Sequence, residues 1–178
     1  MGKNICNILP AIFICAFMIS NVMWKANAQT KGTVKSNSLA ALFTLADAQK
    51  ILGEPAKLAD SSTSHSRNLL MYKCSYKANA EDAKTKKTGN VYFLIEEYSH
   101  DSLAHKKYAF IKKANEDNGI KTLDNLGDEA YFHSDNQNFY FLMARKGARV
   151  FNIKVNRLTS YTSLQEFNAI SRKIVDAM

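Results

Sequence analysis

The amino-acid sequence predicts an α+β fold, a two-layer sandwich in which a mostly antiparallel sheet carries helices packed on one face. Three observations lead to it. Segments with a two-residue apolar period recur in both halves of the chain. They are joined mainly by short turn sequences such as "DNQN" and "KG", which suit hairpins rather than parallel crossovers. Three further segments switch to a helical period, giving the order helix, strands, helix, strands, helix.

The first residues of the 178 stand apart from that fold. Ile8 to Trp24, "ILPAIFICAFMISNVMW", is almost wholly apolar, with Lys3 ahead of it. Behind it Ala26 and Ala28 flank Asn27 in the A-x-A pattern that a signal peptidase accepts. Pro10 and the length of the run argue against a membrane span, which needs about 20 apolar residues. Residues 1–28 are expected to be a cleaved signal peptide, an uncleaved N-terminal anchor being the alternative, and the protein to be periplasmic or secreted. No lipobox precedes Cys6 or Cys15, so no lipidated cysteine is expected. Taking 28 residues from 178 leaves 150, enough for one domain with its own core. Lys3 and Lys25 leave with the leader, so 22 of the 24 basic residues face 16 acidic ones, a net charge of +6. Of three cysteines only Cys74 remains, which excludes an internal disulfide and leaves the fold to its apolar core.

Residues 29–43 are polar and small at their start and read as a flexible lead-in; 44–178 read as a single domain. "TLADAQKILGEP" is a short helix capped by Thr44, with Leu45, Ala48, Ile51 and Leu52 on one face and Gly53 and Pro55 as its stop. Ser61, Ser62, Thr63 and Ser64 read as a loop. In "LLMYKCSYK", Leu70, Tyr72, Cys74 and Tyr76 alternate with Met71, Lys73, Ser75 and Lys77, the pattern of a half-buried strand. Residues 77–90 are charged and small, an exposed loop. "NVYFLIEEY" is apolar on both faces and then acidic, so it reads as a central strand with a wet end. The next segment is a helix capped by Ser99 or Asp101. Its inner face carries Leu103, Phe110, Ile111 and Ala114, its outside Lys106, Lys107, Lys112 and Lys113, and Gly119 ends it. "EAYFHS", "NFYFLMARK" and "ARVFNIKVNRL" resume the strands. The last segment is a helix with Ser163 and Glu166 at capping-box spacing and a stripe of Leu164, Phe167, Ile170, Ile174 and Met178.

"LADAQKILGEPAK", "CSY", "NLGDEAYF" and "ARVFNIKVN" together resemble a diffuse set of small exported bacterial domains of unknown function, many of them lipoproteins or extracellular sensor-like domains. These share an LG-x-P helix end, a C-x-Y strand and a GLGDEAY-type turn. The resemblance spans residues 44–156. It implies an exported α+β domain and brings no catalytic residues with it. Such domains often pair cysteines, and here Cys74 has no partner.

Chemistry-bearing residues are few. "NLGDEAYF" gathers Asp124, Asp128 and Glu129 around Gly127, close to His133. An acid–base pair needs carboxylates across a cleft with separated pKa values, whereas adjacent strand residues point to opposite faces. Gly127 and Asp128 are turn chemistry, so the stretch reads as a structural turn with exposed acids of little consequence for stability. His100 and His105 lie five residues apart, not the four that place two ligands on one helical face; with Glu97 they make a loose metal site conceivable, and solvent-facing histidines are the simpler reading. There is no G-x-S-x-G, S-x-x-K, P-loop or G-x-G-x-x-G, and Cys74 sits mid-strand as a buried thiol. Lys106, Lys107, Lys112 and Lys113 are a solvated face or, functionally, a contact for an anionic envelope component. Export and the scarcity of arginine argue against nucleic acid.

The sequence therefore leads to an exported, non-catalytic envelope domain that binds a partner or small ligand, monomeric or weakly dimeric, without a cofactor and without a membrane span after cleavage. A metal-assisted hydrolase using His100, His105 and Glu97 is the first alternative, a structural or dimeric envelope protein the second. The intact mass of exported protein is expected to begin at Gln29, as glutamine or pyroglutamate; residues 1–28 retained in a membrane fraction would exclude that processing.

Overall fold

The computed structural model describes residues 36–178, so the expected leader, its cleavage site and residues 29–35 of the lead-in lie outside the described residues. The described chain runs through helix α1 (Ser36–Ala40), helix α2 (Leu45–Leu52), strands β1 (Ala56–Ser66), β2 (Leu69–Ala78) and β3 (Asn90–Tyr98), helix α3 (Asp101–Ala114), strands β4 (Lys121–Thr122), β5 (Glu129–Ser134), β6 (Phe139–Lys146) and β7 (Arg149–Asn156), and helix α4 (Leu164–Ala177). The strands form one sheet in the order β1-β2-β3-β7-β6-β5-β4, and every neighbouring pair is antiparallel. The fold is α+β. No described helix is long and apolar enough to cross a membrane.

Local signals set several element ends. Thr44 and Asp47 form a reciprocal capping box at the start of α2, and Gly53 ends that helix at φ +70°. Ser163 accepts a hydrogen bond from the Glu166 N–H at the start of α4. In the turn before β6 the Asp135 carboxylate accepts from the N–H groups of Gln137, Asn138 and Phe139, which fixes the hairpin.

The helices do not share one face. Residues of α2 and α4 pack with Cys74, Tyr76, Val91, Phe93, Ile95, Phe151, Ile153 and Val155, inward residues of β2, β3 and β7. The buried residues of α3, Ala104 and Tyr108, pack instead with Tyr131, Met143 and Val150. On β5, Ala130 belongs to the first cluster and Tyr131 to the second. Successive strand residues point to opposite faces, so α3 covers the other side of the sheet from α2 and α4. The reason lies in the C-terminal strands. Their apolar residues occupy both faces, and the second face needs cover of its own.

That placement corrects the expected inner face of α3. Ala104 and Tyr108 are buried and Ile111 half-buried, while Phe110 is 74% exposed. The helix is rotated so that Ala104 and Tyr108 face the strands. His100, not Ser99 or Asp101, occupies the cap position, and its side chain makes no capping bond.

Three further expectations change. The serine run lies within β1, paired from Ala56↔Ala78 to Ser66↔Leu69. Its hydrogen bonds come from a partner strand, which propensity cannot register. The lead-in does not stay outside the core: Leu39, Leu42 and Phe43 are buried in the main cluster. The 77–90 stretch is not simply exposed, because Ala78 and Asp82 are buried. The Asp82 carboxylate accepts from Lys84 N–H, the Thr85 hydroxyl and Ser160 N–H, and those bonds, the one from Ser160 first, hold its pKa well below the usual carboxylate range.

The role of the lead-in can be measured. Phe43 has no exposed surface and its ring lies 5.1 Å from Phe93 and 5.7 Å from Tyr76. Phe43→Ala is expected to destabilise by about 3–5 kcal/mol in a denaturant titration. A flexible lead-in would show almost no change.

Candidate functional site

The turn between β4 and β5 is fixed twice over at one residue. Gly127 has φ +72°, in the left-handed region. A Cβ there would also stand 2.5 Å from the carbonyl oxygen of Arg145. The Asp128 N–H donates to that carbonyl, and the Asp128 carboxylate accepts from the Gly147 N–H in the β6–β7 hairpin, both at 2.8 Å. The stretch thus joins two hairpins of the same sheet.

Its acids surround one buried cation. Arg145 is 8% exposed, one residue from the end of β6. Its Nε donates to Glu129 at 2.6 Å, and one terminal nitrogen donates to Asp101 at the start of α3 and lies 3.1 Å from Asp128. Nδ1 of His105 lies 3.0 Å from the same Glu129 oxygen. Burial alone would raise the Glu129 pKa, but the bonds from Arg145 and His105 hold it below the ordinary glutamate value. Carboxylates saturated by a guanidinium are poor proton acceptors at neutral pH. The cluster ties α3, the turn and β6 together, so Glu129 is not the inconsequential exposed acid expected of it. Asp128, with about half of its side chain exposed, is nearer to that expectation.

Residues 97, 100 and 105 are not brought together. Glu97 accepts from Arg149, 3.0 Å away on β7, His105 meets Glu129, and His100 is exposed at the end of α3. Among the described residues no group of three or more His, Cys, Asp or Glu side chains converges as metal ligands. The four α3 lysines do not form one outward row either. Lys106 and Lys113 are exposed, while Lys107 and Lys112 are half-buried, with the Lys107 ammonium 4.0 Å from Glu96. Cys74 is buried, and burial raises its thiol pKa.

The structure assembles a different surface. α3 covers only part of its side of the sheet. The pairing register shows what remains. Across the strands stand Ser62, Lys73, Leu94 and Asn152 in one row; Asp60, Ser75, Tyr92, Lys154 and Phe141 in the next; and Lys57, Lys77, Asn90, Asn156 and Phe139 in the third. All lie opposite the α2–α4 side: on β2, β3, β6 and β7 their chain neighbours pack in its core, and the β1 residues are paired directly across from them. Tyr92 is 43% exposed. The Lys154 ammonium stands 5.5 Å from the Phe139 ring centre, a cation–π contact. Asp60 is the one acid in these rows.

The third row ends in an open depression of about 370 Å³ lined by Asn90, Tyr92, Phe139 and Asn156, with Lys87, Asn138 and Arg157 at its rim. Lys87 is presented by the loop that Asp82 organises, through the Asp82 N–H donating to the Lys87 carbonyl. Its ammonium reaches the Gln137 carbonyl and the Asn138 side chain. Arg157 holds φ +58°, a sparsely populated conformation for a non-glycine residue. Sequence reasoning placed Lys73, Lys77, Lys154 and Asn156 on the outer sides of their strands but had no signal that one face unites them, and it did not single out Tyr92 or Arg157.

With this geometry in hand, the chain was compared with protein-family models, curated proteins and solved structures, and none matches.

The Arg145 cluster generates a stability test. Gly127→Ala is expected to cost more than about 1 kcal/mol. Arg145→Met should cost about 3 kcal/mol, at the low end for a broken buried ion pair because Asp101 and Asp128 can rehydrate. Glu129 has a lowered pKa in the fold, so its contribution is present above the unfolded value of about 4.5 and is lost as pH falls through the folded value. Tm measured from pH 7 down to 3 should therefore fall less steeply in Glu129→Gln than in the parent. Equal slopes would remove Glu129 from the acid transition.

Proposed function

We propose that this chain is an exported, non-catalytic envelope domain that binds an anionic partner through the open face of its sheet. The observation that carries the reading is the uncovered half of the α3 side, where Lys57, Lys73, Lys77 and Lys154 share one surface with Tyr92 and a single acid. Cations gathered on one face raise the local concentration of anions and speed their encounter. The exposed ring adds contact area at little conformational cost. The leader-like segment and the likeness to small exported bacterial domains support the compartment.

The face is the proposed contact, rather than the lysine row of α3. Two of those four lysines are half-buried, and the helix pairs its charge with Glu96 and with the Arg145 cluster. A hydrolase reading has less support, since Glu97 and His105 already hold separate partners.

Titration with polyglutamate at low salt separates the two surfaces. The parent is expected to bind, with affinity falling as salt rises. Lys73→Glu with Lys77→Glu, both exposed on the sheet, should abolish binding, and Lys106→Glu with Lys113→Glu on α3 should leave most of it. The reverse ranking, or no binding by the parent, would sink the reading.

A further inference from the structure

We infer that the depression at the end of the open face is a subsite for an acidic sugar unit, a monosaccharide residue carrying a carboxylate. The inference deepens the reading of that face as an anion-binding surface and rests on it. Three kinds of group converge there, and a uronate needs all three. Tyr92 offers an exposed ring on which the C–H face of a sugar can lie. Asn90 and Asn156 stand opposite one another in the β3–β7 ladder and bring two side-chain amides to the site, while the Asn138 amide is held by Lys87 and Asp135. An amide presents donors and an acceptor side by side, which matches vicinal hydroxyls. Lys87 and Arg157 stand at the rim, with Lys154 beside Tyr92 in the ladder, and supply charge for the carboxylate.

Nδ2 of Asn90 donates to the Tyr92 hydroxyl at 3.1 Å, but its buried Oδ1 has no hydrogen-bond partner. That oxygen is closed to solvent, so a sugar hydroxyl reaches it only when the Asn90 side chain turns toward the depression. The volume, about 370 Å³, is at the low end of the range for small-molecule sites and suits one or two sugar rings. The nearby acids stay ionised, but neither is ion-paired with Lys87 or Arg157. Asp135 spends its oxygens on the N–H groups of its own turn and on Asn138, and Asp82 on its own loop and Ser160. A phosphate or lipid headgroup would satisfy the cations but would leave the tyrosine ring and the paired amides without a role.

The probe is an oligogalacturonate of four residues, compared by calorimetry and by NMR with maltotetraose, polyphosphate and phosphatidylglycerol vesicles. The uronate is expected to bind, to shift the signals of Asn90, Tyr92 and Asn156, and to lose tenfold or more in affinity in Tyr92→Ala and in Asn90→Ala with Asn156→Ala. Melting curves establish that each variant folds, Tyr92 being exposed. Uronate binding no tighter than maltotetraose, or unchanged in Tyr92→Ala, overturns the inference. Polyphosphate or vesicles binding to the face while the uronate does not also overturns it, and leaves the broader anion-binding reading standing. Failure of every anion removes both.

Discussion

Strands β3 and β7 meet along eight residue pairs, from Asn90↔Asn156 to Glu97↔Arg149, although Glu97 and Arg149 are 52 residues apart in the chain. Everything else hangs on this junction. On one side of it β1 and β2 form a hairpin extension of β3; on the other, β4 to β6 form a meander ending in β7. Val91, Phe93 and Ile95 stand against Val155, Ile153 and Phe151, and none of the six is more than 1% exposed. Burying such side chains stabilises by roughly 1.5–3 kcal/mol each before entropy is counted. Closing so long a loop costs entropy that only this non-local burial can offset.

The two faces of that junction have different fates. The face with the six apolar side chains is covered by α2, α4 and the residues around Phe43. The opposite face carries Tyr92, Leu94, Asn152 and Lys154, too polar to need full cover and too apolar to be pure solvent surface. α3 lies over the neighbouring part, where Tyr131, Met143 and Val150 do need burial. A helix of 14 residues is about 21 Å long and one helix cannot cover a seven-stranded sheet. The remainder stays open. The candidate binding surface is therefore a consequence of how little apolar area the outward residues of β2, β3 and β7 possess.

Arg145 is the second organising feature, and its burial has a cost. A desolvated guanidinium is tolerable only with its hydrogen bonds filled, and Glu129, Asp101 and the Gly147 carbonyl fill them. These partners come from β5, from α3 and from the hairpin at the end of β6. The arginine thus positions α3 more by specificity than by net stability, since burying an ion pair gains little over apolar packing. It also explains why an acidic motif that looks chemical in one dimension is structural in three.

By itself the sequence determined what depends on residues near one another: the Thr44 cap, the stop at Gly53, the alternation through Cys74, the β6–β7 hairpin and the turn at Gly127. Caps, turns and periodicity are satisfied within a few positions, so a chain can display them without knowing its fold. The α+β class followed from their order. The tertiary structure alone decided which side α3 covers, that a serine run pairs as β1, and that Phe43 belongs to the core. It also decided that Arg145 draws Asp101 from 44 residues away and that Asp82 reaches Ser160 across 78. The open face belongs to this second group. Tyr92 and Lys154 become neighbours only through the β3–β7 register. A strand's own pattern shows that it has two sides, but not which neighbour it will meet or which side will be left uncovered, because both are settled by burial summed over distant segments.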